Sequence, residues 1–129
     1  EAEIAAVGGG AASGEAAPPT LGVLCYPVVT LDYADSCVHE GSRANLIGEL
    51  ASGGSPRQRE DLCRRLSLQH RVGEKTPPTF VWHTWDDKTV PIENAYILGT
   101  ALGRAGVRHE LHVYQHAGVR HGAGLTGDI

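Results

Sequence analysis

Methionine is absent from all 129 residues, position 1 included. We therefore expect the sequence to be part of a longer translated product. Aromatic residues make up only 5% of the chain, so any core must rest on Leu, Val, Ile and Ala. No apolar run approaches the roughly 18 residues that a membrane-spanning helix needs, which excludes a membrane partner of that kind. Basic residues are outnumbered by acidic ones, 11 to 15, giving a formal charge of −4 and a pI of about 5.9. That balance speaks against nucleic acid or an acidic membrane surface as a partner. The start, EAEIAAVGGG, has neither a basic segment nor an apolar one, so it is not an intact signal peptide. Cysteine is scarce and odd in number: Cys25, Cys37 and Cys63. No two are closely spaced, which argues against a disulfide framework or a zinc finger and leaves Cys37–Cys63 as the one pairing to consider. Free thiols point to a reducing, cytoplasmic setting.

Against these absences stands an α/β pattern. Residues 1–20 are rich in Gly, Ala and Pro without periodicity and read as a flexible connector. LGVLCY, from Leu21 to Tyr26, is apolar without alternation, as in a strand buried on both faces. Ser42 is placed to cap a helix running to Leu50, with Ala44, Leu46, Ile47 and Leu50 on one face. Ser55, with Pro56 behind it, caps a second helix whose apolar side is Leu62, Cys63 and Leu66. These two short helices, within about residues 39–70, read as an insertion lying over the sheet. TFVWH, from Thr79 to His83, is a second strand, with Trp82 expected in the core. A helix spans Pro91 to Arg104, with Gly106 at its stop, and a third strand runs from Val107 to Tyr114. Its even positions are polar, as on a strand near a sheet edge. Strand, helix, strand at this spacing is a βαβ unit.

Chemistry is expected where loops leave the C-terminal ends of the strands. The loop after the second strand carries Asp86 and Asp87; that after the third carries His116 and His121. A carboxylate there can hold the Nδ1–H of an imidazole, fixing its tautomer and stabilising the imidazolium. The alternative for the acidic pair is that it favours the N-terminus of the following helix. Four histidines, His109, His112, His116 and His121, invite a metal site. On a strand His109 and His112 point to opposite faces, so we expect no metal and no cofactor. His83 is read as a satisfied structural histidine, with support of the acidic loop as its alternative. Trp85 is read as lining an acyl or sugar pocket or as surface packing. Gly8–Gly10 lacks the surroundings of a phosphate loop.

Three motifs occur in order: H-x-x-D-D-x-x-V-P from His83 to Pro91, A-L-x-x-A-G-V from Ala101 to Val107, and H-x-G-x-x-H-G-x-G-L from His116 to Leu125. Together with LCYPVVTLD at Leu24–Asp32 and HEGSRANLIGE at His39–Glu49, they resemble the C-terminal part of α/β-hydrolase esterases. The resemblance is to the acetyl xylan esterase and feruloyl esterase-like group, related to dienelactone hydrolases, over roughly Leu21 to Leu125. It implies a mostly parallel sheet with flanking helices, incomplete here, with residues 21–129 as the C-terminal part of a single α/β-hydrolase domain. It implies a catalytic triad with Asp87 three positions before Val-Pro and His121 before G-x-G-L; Asp86 and His116 are the weaker neighbours. Val119 and Arg120 make the histidine loop one residue longer than is usual in that group.

The resemblance also calls for a serine in G-x-S-x-G on a strand-to-helix elbow. Ser13 and Ser42 lack both flanking glycines, and Ser55 has Gly53 before it but Pro56 and Arg57 after it. The elbow is thus expected upstream of Glu1, and the chain alone is expected to be inactive. The expected function is hydrolysis of small carboxylic esters, with acetylated or feruloylated sugars as candidate substrates. The contrasting reading is a catalytically silent fragment or binding module. An open sheet edge is expected to pair with the missing N-terminal part or, as a homo-oligomer, with a second copy.

Overall fold

The computed structural model describes residues 19–32, 34–48 and 53–115. The expected connector, apart from residues 19 and 20, lies outside them, as do His116 and His121. In chain order come β1 (Gly22–Cys25), α1 (Glu40–Ile47), α2 (Pro56–Leu66), a 3-10 turn (Leu68–His70), β2 (Thr79–Thr84), α3 (Glu93–Arg104) and β3 (His109–Tyr114). The described strands form one parallel sheet in the order β1-β2-β3.

Register decides what each face carries. Leu24 pairs with Val81 and Val81 with Leu111, so these three share the face on which α3 packs. The helix presents Ala95, Leu98 and Leu102 at 3–4 spacing, and these join Val29, Val81 and Ile92 in the main core. Complete burial of Leu98 and Leu102 stabilises by about 1.5–3 kcal/mol each. Helix and sheet approach closely at Gly99, where a Cβ would sit 3.1 Å from Leu111 Cδ2. Glu93 in the first turn and Arg104 in the last match the helix dipole, and Gly106, at φ 68°, takes the left-handed turn that ends the element.

The opposite face is aromatic. Trp82 lies there rather than in the core, because it alternates with Val81 along β2. Its ring meets Tyr26 edge-on at 5.2 Å and Tyr114 at 6.2 Å, while Phe80 lies 5.0 Å from the His112 ring. On the same face Val23 is 55% exposed and Cys25 half-buried, so the described residues do not cover β1 on both sides.

Helices α1 and α2 and the segment after β1 build a second core of Leu31, Ile47 and Cys63 with Val28 and Leu62. Helix α1 starts two residues before Ser42: His39 is its cap, its Nδ1 accepting from the Ser42 amide at 3.2 Å. It stops at Ile47, where Gly48, at φ 51°, turns the chain; Leu50 lies outside the described residues, and Leu46 is 59% exposed. Ser55 and Pro56 open α2 as expected, and Gln58 closes a reciprocal capping box with Ser55. Leu66 is exposed rather than on the packed side.

Candidate active site

Among the described residues, two loops leave the C-terminal edge of the sheet. The first begins at Tyr26, whose amide still donates to Trp82 O at 2.8 Å although its φ is +38°. A positive φ on a bulky side chain is a strained conformation, and Pro27 behind it narrows the alternatives. The second loop carries Trp85, Asp86 and Asp87. Its first amide, of Trp85, donates to Tyr114 O at 2.9 Å, extending the β2–β3 ladder by one bond beyond the strand ends. The loop therefore leaves the edge from a fixed point.

Asp87 turns back into the protein. Its side chain is fully buried, and Oδ1 accepts from the amides of Thr89 at 2.8 Å and Val90 at 3.0 Å. Two backbone donors favour the charged carboxylate. Both lie ahead of α3, which begins only at Glu93, so Asp87 is not a cap of that helix. Oδ2 lies 3.5 Å from His83 Nε2, and that nitrogen is 2.9 Å from Val90 O. The Asp87 charge reaches the first loop too. Burial pushes the Tyr26 phenol above its usual value, and the charges of Cys25 and Asp87 push it further. The Thr84 hydroxyl, buried at the end of β2, has no hydrogen-bond partner among the described residues. Trp85 stands out from this edge at 62% exposure. His116 and His121 follow β3, the strand next to β2, in sequence and lie outside the described residues.

The edge rests on a polar frame that the hydrophobic pattern did not reveal. Asn94, wholly buried, accepts at Oδ1 from Val29 N (2.9 Å) and Thr30 N (3.1 Å). Its Nδ2 donates to Cys37 O (2.9 Å) and Pro91 O (3.1 Å). One amide thus ties the loop after β1 to the start of α3. Ser67 acts similarly, accepting from Leu31 N at 2.9 Å and donating to Cys63 O at 2.8 Å. Thr30, Asp35 and Gln69 form a further cluster, with Thr30 Oγ1 donating to Asp35 Oδ2. The signal for Asn94 was an amide interrupting the apolar stripe of α3. Ser67 and Gln69 reach Leu31, Thr30 and Asp35 through contacts more than 30 residues apart in sequence. A groove of about 830 Å³ lined by Asp35, Gln69, Tyr96 and Arg104 lies elsewhere, and Asp87 is not among its walls.

A parallel sheet with a crossover helix and a buried carboxylate at its C-terminal edge defines an α/β-hydrolase-type protein. The chain belongs to the prolyl oligopeptidase family, whose pattern matches residues 25–127. It is 44% identical to an acetyl ester-xyloside bifunctional hydrolase from Caldicellulosiruptor lactoaceticus, with a TM-score of 0.69 over 85% of this chain and 36% of that one. It is also 35% identical over 80 residues to endo-1,4-beta-xylanase B of Butyrivibrio fibrisolvens, which covers 62% of this chain and 11% of that protein. A thermophilic esterase from Thermogutta terrifontis shares the fold, with a TM-score of 0.56 at 23% identity over 86% of this chain and 37% of that one. The chain thus spans about a third of the solved structures it resembles and a ninth of the curated relative.

Proposed function

We propose that this chain supplies the acid–base part of a serine ester hydrolase. Asp87 orients and His121 transfers the proton; the nucleophilic serine comes from a segment before β1. One observation supports this above the rest: Asp87 is a buried carboxylate whose Oδ1 is pinned by two backbone amides at the C-terminal edge of β2. His121 follows the adjacent strand, β3, by seven residues in sequence.

In the reaction the serine hydroxyl attacks the ester carbonyl, and His121 takes its proton. Collapse of the tetrahedral intermediate expels the alcohol, which His121 protonates. Water, deprotonated by His121, then releases the acid from the acyl-enzyme. Asp87 stays ionised throughout and stabilises the imidazolium. We propose small esters as substrates, acetylated xylosides first among them. The printed name of the relative at 44% identity supports that choice.

The test is turnover of p-nitrophenyl acetate by the full-length protein, with a fluorophosphonate label. Asp87→Asn and His121→Ala should each abolish most turnover, with the label found on a serine upstream of β1. Activity unaffected by both changes would sink the assignment. Activity in the 129-residue chain alone would show that the serine lies within it.

A further inference from the structure

We propose that His83 is the positioning residue of the Asp87 carboxylate. This rests on the reading of Asp87 as the triad acid. His83 sits on β2, the strand paired on both sides, and its side chain is fully buried. Burying an imidazole costs free energy that an aliphatic side chain at this position would avoid. Its contacts show what it does there.

His83 Nε2 lies 2.9 Å from the carbonyl oxygen of Val90. A carbonyl only accepts, so this nitrogen carries the proton and the tautomer is set. The same N–H stands 3.5 Å from Asp87 Oδ2, while the amide of Val90 donates to Asp87 Oδ1 at 3.0 Å. Val90 is thereby held at both polar ends, its N–H by the carboxylate and its C=O by the imidazole. The closed circuit of His83, Val90 and Asp87 refers the carboxylate to the central strand as well as to its own loop. Oδ1 is fixed by backbone amides, and Oδ2 is held at a set distance from a positive N–H edge. A catalytic group needs such support to stay within a fraction of an ångström of its working geometry.

The test uses the full-length protein and compares His83→Leu with His83→Gln. Leucine fills similar volume without a donor, whereas the glutamine Nε2 can reach the Val90 carbonyl. His83→Leu should lower kcat about 10- to 100-fold, the scale of a roughly 1 Å misplacement, with KM little changed. It should also move the acid limb of the kcat/KM profile to lower pH, because a displaced carboxylate stabilises the imidazolium less. His83→Gln should recover most of both effects. His83→Asn, polar but too short to reach Val90, should behave like His83→Leu and replaces it if the leucine variant does not fold. Equal losses in all variants with the acid limb in its wild-type place would overturn the proposal and leave His83 a packing residue. Full activity in His83→Leu, beside a large loss in Asp87→Asn, would overturn it while sparing the assignment of Asp87. Full activity in Asp87→Asn would overturn both.

Discussion

Replacing Asn94 by alanine should be among the most damaging single changes in this chain. The side chain serves four partners, two donors and two acceptors. Pro91 O keeps the backbone amide of residue 94 as a second donor, at 3.0 Å. The amides of Val29 and Thr30 and the carbonyl of Cys37, all on buried residues, would lose the partner the structure gives them. Each orphaned buried group costs about 1–3 kcal/mol. Water entering the vacated space would recover part, so we expect a net loss of roughly 3–6 kcal/mol. That is a large share of the 5–15 kcal/mol typical of a folded domain, on the order of a third to a half. Urea unfolding of the full-length protein followed by tryptophan fluorescence measures it. Asn94→Leu, which leaves little cavity, should lose as much as Asn94→Ala. A loss below about 1 kcal/mol in either, at unchanged m-value, would refute the frame we assign to this amide.

Three further outcomes follow from the same structure. Gly99→Val should lower stability by about 1–3 kcal/mol, since a Cβ would press on Leu111 at 3.1 Å, and a thermal melt would show it. The Asp32 carboxyl is held below its usual value, chiefly by the Ala34 amide and then by His70 and Arg64. Its contribution is therefore complete above the ordinary aspartate range and lost as pH falls through the lowered folded value. Asp32→Asn should remove that part of the acid dependence in stability-versus-pH curves. All three cysteines are free, and burial raises the thiol pKa of Cys37 and Cys63. A thiol reagent should modify Cys25 first and Cys63 only on unfolding; early reaction at Cys63 would contradict the second core.

Much of the fold was legible where periodicity is strong. The stripe Ile92, Ala95, Leu98 and Leu102 fixed α3, and the dipeptide Ser55-Pro56 fixed the start of α2. Position 82 was misread because a single short strand does not say which of its faces meets the helix. That is decided by the partner strands, through the pairing of Leu24, Val81 and Leu111. The cap of α1 was misplaced because His39 is an unusual capping residue, and its role depends on a ring nitrogen meeting the Ser42 amide. Within the site, the place after a strand marked Asp86 and Asp87 alike, and the choice of Asp87 came from the resemblance alone. The circuit through His83 and Val90 was not legible, because sequence spacing carries no information on which carbonyl a ring nitrogen faces. The loop with His116 and His121 lies outside the described residues.

The central claim is that Asp87 and His121 act as one unit in ester hydrolysis. A double-mutant cycle on the full-length protein tests it most directly, with kcat/KM for p-nitrophenyl acetate measured in Asp87→Asn, His121→Ala and the double variant. Residues that act together lose their effect together. The double variant should therefore fall no further than His121→Ala alone. Losses that multiply, or a His121→Ala variant as active as wild type, would contradict the pairing.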